Sequence, residues 1–346
     1  MADPVRNHPA PVDEAALALS LRPFGSSVML PPAAYTDPAV FGWEQEHLLG
    51  GGWTCVGFSA HLPEPGAEQT WRLGAERVRL ARDGDGAVQA WACAGERELP
   101  VCEWHGLVFV DGSGRAEPLA AALATIEDLV APYEPERLVI AARRDYDVAA
   151  NWKTLAENYH ECYHCPSIHP ELCVVSPPSS GGNYPASGSW LGGWLELRDG
   201  AETMALDGVS LGVPLRGLDG PALRTVSYLN VFPNVLLSLH PDYVMTHVLV
   251  PLAADRTLIE CYWAFPPEAL GRPGFDPGYA VGIWDITNLQ DWRACESVQR
   301  GLSGGHAAPG PLAPGEAGVY QFVTMVARGY LGRPVGGGPL PQLLAD

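Results

Sequence analysis

A chain of 346 residues with 47% apolar composition is long enough to bury a sizeable core and suits two domains. Twenty-one basic against forty acidic residues leave a formal charge of −19, which argues against nucleic acid or an anionic membrane surface as partner. No run of 18 apolar residues occurs, and the opening text has no basic segment followed by a continuous apolar core, so neither a membrane span nor a leader is expected. Eight cysteines without an evenly spaced framework point to reduced thiols in a cytoplasm.

Residues 1–132 read as a small antiparallel β domain behind an N-terminal arm. The first 23 residues predict a frayed arm with one short helix. From Pro31 the text reads as a short helix ending at the glycine cluster 50–52, then a strand that runs into a Pro/Gly turn. Residues 70–73, 77–82 and 87–92 are short alternating segments separated by turns such as Asp83-Gly84-Asp85-Gly86, and 107–110 is another strand. Residues 118–131 predict an amphipathic helix leaving this domain, with Pro132 and Pro135 at the boundary. Cys55, Cys93 and Cys102 read as small buried apolar side chains.

Residues 133–346 read as a second domain. Strand-like text begins at Leu138. Residues 176–225 are rich in Gly, Pro and Ser and too long for a plain connection, so they are expected to cover a pocket or carry short hairpins. Strands resume at 224–231, 234–239, 243–252 and 257–265 as a meander, and a long helix is predicted over 278–302. His240 and His247 fall in strand text and read as core or edge residues.

Between these segments lies Asn151 to Leu172, NWKTLAENYHECYHCPSIHPEL, with three histidines, two cysteines and three glutamates in 22 residues. Trp152, Leu155, Tyr159 and Tyr163 recur at helical spacing, which predicts a helix through Tyr163 with His160, Glu161 and His164 on its last turns. Pro166 has no N–H and pushes Cys165 out of the helical region, so His169 follows on a loop. Lys153 and Glu157, four apart, read as a surface ion pair.

Three metal sites compete for these residues. His160, Glu161 and His164 spell H-E-x-x-H, the zinc-hydrolase helix. Cys162, Cys165, His169 and Cys173 suit a structural zinc. His164 and His169 with a distant carboxylate suit the two-histidine, one-carboxylate triad of non-haem ferrous oxygenases. Five residues on an ideal helix put two side chains about 140° apart, so this last pair converges only if the helix breaks between them.

The longer string N-W-K-x-x-x-E-N-Y-x-E-C-Y-H-C-x-x-x-H-P resembles the catalytic-domain signature of Rieske-type non-haem iron oxygenases, the superfamily of ring-hydroxylating dioxygenase α subunits and choline-monooxygenase-like enzymes. The resemblance implies an α+β fold: a Rieske-like β domain, then a helix-grip domain in which a curved antiparallel sheet wraps a long C-terminal helix. It implies mononuclear Fe(2+) on His164 and His169, with Glu161 where most relatives carry the aspartate that bridges to an electron donor. His160 is then a bystander, and Asn158 is a candidate to hydrogen-bond near the iron, against the plainer reading of a solvated or capping helix residue.

The third ligand is expected from the long helix. Positions 284, 288, 291, 295, 298 and 302 form one stripe reading Trp, Asn, Asp, Cys, Val, Leu, which turns Asp291 toward an apolar surface and leaves Asp285 to solvent. A buried lone carboxylate needs a cation, and a ferrous ion or an arginine such as Arg143 or Arg144 would serve. The text QDWRACESVQRGL also resembles the family segment that supplies the carboxylate.

The first domain departs from the family. Relatives hold a [2Fe–2S] cluster on C-x-H and C-x-x-H, with two histidines replacing two cysteines on one iron. Here the strand around Trp91 runs straight on to LPVCEWHGLVFVDGSG, Cys93 has no histidine two places on, and Cys102 to His105 is a structural string in relatives. The cluster is therefore expected to be absent.

The resulting expectation is an iron oxygenase component that uses O2 to hydroxylate or oxidatively dealkylate a small organic substrate. Its electrons would come from a separate Rieske or ferredoxin-type donor docking near Glu161, since the neighbouring subunit of a homotrimer would hold no cluster either. The alternatives are a non-catalytic ligand-binding or partner relative, a zinc hydrolase using His160 and His164, and a structural zinc module. Eleven tryptophans and twelve tyrosines leave room for an aromatic box around a quaternary ammonium.

Overall fold

The computed structural model describes residues 9–185 and 188–336. Three helices open the chain, α1 (Glu14–Ser20), α2 (Ala33–Thr36) and α3 (Pro38–His47). α1 is capped by Asp13, whose side chain accepts from Ala15 N, and α3 by Asp37, which accepts from Ala39 N. The arm is not frayed over its described part. Leu17 is buried among Trp152 and Phe322, and Ala10 N donates to Tyr330 O at 2.9 Å.

A β unit follows: β1 (Trp53–Phe58), β2 (Glu68–Leu73), β3 (Glu76–Arg82), β4 (Val88–Ala92), β5 (Glu98–Leu99), β6 (Val101–Trp104) and β7 (Leu107–Asp111). These form a three-stranded sheet, β1-β7-β6, and a four-stranded one, β2-β3-β4-β5. The amphipathic helix expected over 118–131 is broken into α4 (Leu119–Leu123) and α5 (Glu127–Val130), because Ala124 adopts φ +48° and interrupts the ladder between them. Cys55 is buried as expected, but Cys93 is exposed just beyond β4 and Cys102 is half-exposed.

The second unit is built on β8 (Val139–Val148), then three helices, α6 (Trp152–Tyr159), α7 (Cys165–Ile168) and α8 (Pro170–Val175). β9 (Gly182–Asn183), β10 (Trp190–Glu196), β11 (Thr225–Val231), β12 (Val235–Leu239), β13 (Val244–Ala253) and β14 (Arg256–Phe265) complete an antiparallel seven-stranded sheet in the order β8-β14-β13-β12-β11-β10-β9. α9 (Pro267–Leu270), the long α10 (Gly278–Ser303) and α11 (Ala317–Tyr330) close the chain. α11 was not anticipated from sequence. Among the described residues no helix is long and apolar enough to cross a membrane.

Alternation along the strands explains how this sheet is buried on both sides. Leu236, Met245, Leu249, Ile259, Cys261 and Trp263 face α10, with Trp284, Trp292 and Cys295 packed against them. Leu237, Val244, Val248 and Tyr262 point the other way, onto Cys55 and Phe109 of the β1-β7-β6 sheet and onto the α4–α5 segment. β10 hid in the Gly-rich text because two of its residues are glycines. A Cβ on Gly192 would lie 2.3 Å from the Tyr228 carbonyl oxygen of β11, so only glycine fits there.

The chain's single lysine is wholly inside. Lys153 Nζ pairs with Glu44 Oε1 at 2.5 Å, both side chains having no exposure, and Trp152 Nε1 donates to Glu44 Oε2 at 2.9 Å. Tyr330 OH also donates to Glu44, and Tyr35 OH donates to Glu157 at 2.6 Å. The expected surface pair of Lys153 and Glu157 is thus a buried polar network joining α2, α3, α6 and α11. α6 starts at the protein surface in neither sense: its first two turns are core.

Candidate metal centre and its cleft

Helix α6 begins at an N-cap, Asn151, whose side chain accepts from Lys153 N at 3.0 Å. It ends at Tyr159 rather than Tyr163, and His160 to His164 run through an irregular turn. Pro166 opens α7 instead of ending a helix, since a first-turn residue has no intrahelical N–H bond to lose. His164 caps the start of α7, and His169 stands between α7 and α8 with φ −123° and ψ 60°. The two imidazoles therefore converge across a turn and one short helix.

His164, His169 and Asp291 form the one group of potential ligands among the described residues whose donor atoms lie close enough for a shared ion, all within 4.8 Å of one another. The two Nε2 atoms are 3.2 Å apart, and Asp291 Oδ1 lies 2.8 Å from His169 Nε2 and 3.4 Å from His164 Nε2. Ligand bonds of about 2.1 Å at right angles place neighbouring donor atoms about 3 Å apart, so the residues present fit one small divalent ion on a triangular face.

The outer nitrogens fix the tautomers. His164 Nδ1 contacts the Glu161 carboxylate, and His169 Nδ1 lies 2.7 Å from Gln290 Oε1. Both partners only accept, so both Nδ1 carry hydrogen and both Nε2 lone pairs face the same point. Glu161 also accepts from Tyr163 N and His164 N, which folds the turn around His164. Asn158 Nδ2 donates to Asp291 Oδ1 at 2.7 Å. Gln290 was missed from sequence: it sits one residue off the α10 stripe, and no spacing rule singles it out.

Burial lowers the His164 pKa, but the carboxylates of Asp291 and Glu161 outweigh it and raise the imidazole to about 9. His169 moves upward in the same way, and Asp291 is held low: burial raises its pKa, and the two imidazoles more than offset that.

Other expectations are corrected here. His160 is not on a helix with His164, and its buried Nε2 has no partner among the described residues, so the zinc-hydrolase geometry does not form. Burial lowers its pKa to about 3. Cys162 and Cys165, with Cα atoms 4.9 Å apart, are joined by a disulfide across the turn that holds His164. That overturns the expectation of reduced thiols at this pair and removes the thiolates a structural zinc would need. Arg143 pairs with Asp145 and Glu260, so it does not serve Asp291. Of the α10 stripe, Trp284, Asn288 and Cys295 are buried but Val298 is 51% exposed, and its neighbour Gln299 is buried instead. Asp285 accepts from Tyr146 OH at 2.7 Å instead of facing solvent alone.

The three donors open into a cleft of about 340 Å³. Its walls include Tyr159, Trp194, Tyr228 and Trp284, with Asn158, Glu161 and Thr287 near the donors. Tyr228 lies between Tyr159 and Trp284, with ring centroids 5.9 and 6.1 Å away, so the three form a continuous aromatic wall.

Known proteins give this arrangement a family. The family model described as "Ring hydroxylating alpha subunit (catalytic domain)" matches residues 135–332. The chain is similar to the glycine betaine monooxygenase oxygenase subunit of Pseudomonas aeruginosa (strain UCBPP-PA14), 24% identical over 89% of this chain and 90% of that protein. It is similar also to the chloroplastic choline monooxygenase of Beta vulgaris, 22% identical over 85% of this chain and 75% of the relative. Among solved structures it resembles the quaternary ammonium Rieske monooxygenase CntA, with a TM-score of 0.75 at 19% identity over 93% of this chain and all of that one. The naphthalene 1,2-dioxygenase of Rhodococcus sp. follows with a TM-score of 0.74 at 15% identity over 92% of this chain and 98% of that one. The chain belongs to the ring hydroxylating alpha subunit (catalytic domain) family, and it is an oxygenase of the Rieske-type non-haem iron superfamily.

Proposed function

We propose that this chain is a mononuclear iron oxygenase that hydroxylates or N-dealkylates a small N-methylated cation and draws electrons from a separate iron–sulfur protein. The observation that carries the metal assignment is the convergence of His164 Nε2, His169 Nε2 and Asp291 Oδ1 on one point with both outer imidazole nitrogens committed elsewhere. A ferrous ion held by these three residues would supply dioxygen activation. Glu161 and Gln290 orient the imidazoles, and Asn158 holds the Asp291 carboxylate. The aromatic wall suits a cation's methyl groups and excludes water from them. The relatives named for glycine betaine and choline support the same class.

The reading that this chain carries no cluster draws its support from the β unit. β4 and β5 are joined by a tight turn through Cys93 and Gly95. His105 is committed to Glu136 at 2.8 Å and Glu127 at 3.1 Å, and the Cys102 thiol is directed to the Glu103 carbonyl. A donor would then dock where Glu161 and the exposed Tyr163 reach the surface, whether the chain works alone or as a homotrimer. The division at residues 132/133 is part of this reading, with the N-terminal helices packed on the second unit.

The test is reconstitution with ferrous iron under argon, followed by metal analysis and visible spectroscopy. About one iron per chain without [2Fe–2S] absorption, and formaldehyde release from N-methylated cations once a ferredoxin, its reductase and air are added, is the expected result. Cluster bands in the purified chain would refute the separate-donor claim. Undiminished iron binding by Asp291→Ala would refute the ligand set.

A further inference from the structure

The cleft carries polar atoms that the metal chemistry does not use. Tyr228, Thr287 and His160 line the cleft, and Tyr228 OH, Thr287 Oγ1 and His160 Nε2 are buried with no hydrogen-bond partner among the described residues. Each is a side-chain atom that folding has taken from water without replacing its bonds, a cost that a bound molecule can recover.

Their placement gives a direction. Thr287, Trp284 and Asp291 share one face of α10: Thr287 is one turn before Asp291, about 6 Å along the axis, and Trp284 about 10 Å. Tyr228 closes over Trp284 from β11 at 6.1 Å between ring centroids. A substrate with its reacting carbon beside the Asp291 carboxylate therefore points its far end along α10 toward Thr287 and Tyr228.

The charge at that far end is also constrained. Glu161, Asp291 and the metal-facing histidines are the titratable groups near the donors, and no lysine or arginine lines the cleft among the described residues. The unpartnered atoms are two hydroxyls and an imidazole, all uncharged. A carboxylate there would be taken from water with no cation to meet it, whereas an alcohol, ether or amide oxygen would be satisfied by the hydroxyls.

We infer that Thr287 and Tyr228 select a cation whose other end is an uncharged hydrogen-bonding group and reject one that ends in a carboxylate. The inference rests on the cationic substrate class proposed above and sharpens it. It also departs from the relatives named for glycine betaine, whose substrate carries a carboxylate.

The experiment is calorimetric titration of the iron-loaded full chain under argon, where nothing turns over, with four probes: choline, glycine betaine, tetramethylammonium and the uncharged choline isostere 3,3-dimethylbutan-1-ol. Choline is expected to bind about tenfold or more tightly than glycine betaine. Thr287→Val brings choline down to tetramethylammonium without weakening the latter, and Thr287→Ser restores the difference. Glycine betaine binding as tightly as choline overturns the inference and leaves the cationic class intact. The uncharged alcohol matching choline overturns the cationic class itself. No binding by any probe at full iron occupancy overturns the selection and leaves the metal assignment standing.

Discussion

Helix α6 serves two polar clusters, and they differ in one respect. At its start, Lys153 meets Glu44 with Trp152, Tyr330 and the Tyr35–Glu157 pair around them, and every charge finds its partner within the protein. Past its end, Asn158, Glu161, His164, His169 and Asp291 gather with two Nε2 lone pairs and a carboxylate aimed at the same space. The first cluster contains its own cation and is closed to solvent. The second must borrow one. Burial of charge alone does not mark a functional site; an unmet demand for charge does.

Breaking the closed cluster should have the largest effect. Lys153→Met leaves Glu44 buried without its cation, and should cost about 3–5 kcal/mol in chemical denaturation while the fraction still folded binds iron normally. Loss of iron in that folded fraction would show that the two clusters are one unit. On the open side, His169→Ala and Asp291→Ala should each reduce iron from about one per chain to near zero, read by metal analysis of the folded protein.

A finer cut separates holding a metal from aiming its ligand. Gln290→Leu leaves all three donors in place but strands the His169 Nδ1 hydrogen, and should weaken metal affinity about 10–100-fold, measured by competition with a chelator. Gln290→Glu, which still accepts, should recover most of it.

The smallest effect is in pH. Burial raises the Glu157 carboxyl to about 8, with Tyr35 and Lys153 pulling the other way. A carboxyl whose pKa is higher folded than unfolded binds more protons in the native state, so its stabilising contribution is complete below its unfolded value near 4.5 and is lost as pH rises through about 8. His160 and His247, lowered to about 3 and about 4, act oppositely but only below the unfolded histidine value near 6.5. Between pH 6.5 and 8, Glu157→Gln should flatten the fall in stability of the metal-loaded protein by at most about 1.4 kcal/mol per pH unit, the limit for one proton. An unchanged slope would place Glu157 outside the titrating groups.

Much of this was legible in the sequence where local chemistry decides. Period-two text located β2, β3, β4 and the β11–β14 meander to within a residue or two, and the α10 stripe singled out Asp291. What stayed hidden depends on distant partners. β10 looked like loop because Gly192 answers to a carbonyl on β11, and Lys153 looked like a surface residue because Glu44 lies 109 positions away. Gln290 acquires meaning only once His169 is beside it. Pro166 was read as the break after the ligand helix, but α6 already ends at Tyr159 and Pro166 sits in the first turn of α7, where a proline has no intrahelical N–H bond to lose.

The position of Lys153 has a practical corollary. A protein with one ammonium side chain, sealed behind aromatic rings and salt-paired, offers amine-directed reagents no lysine to modify while it is folded. Acylation of that side chain thus reports opening of the interior, and a mass increment at residue 153 would time the unfolding of this half of the molecule residue-specifically.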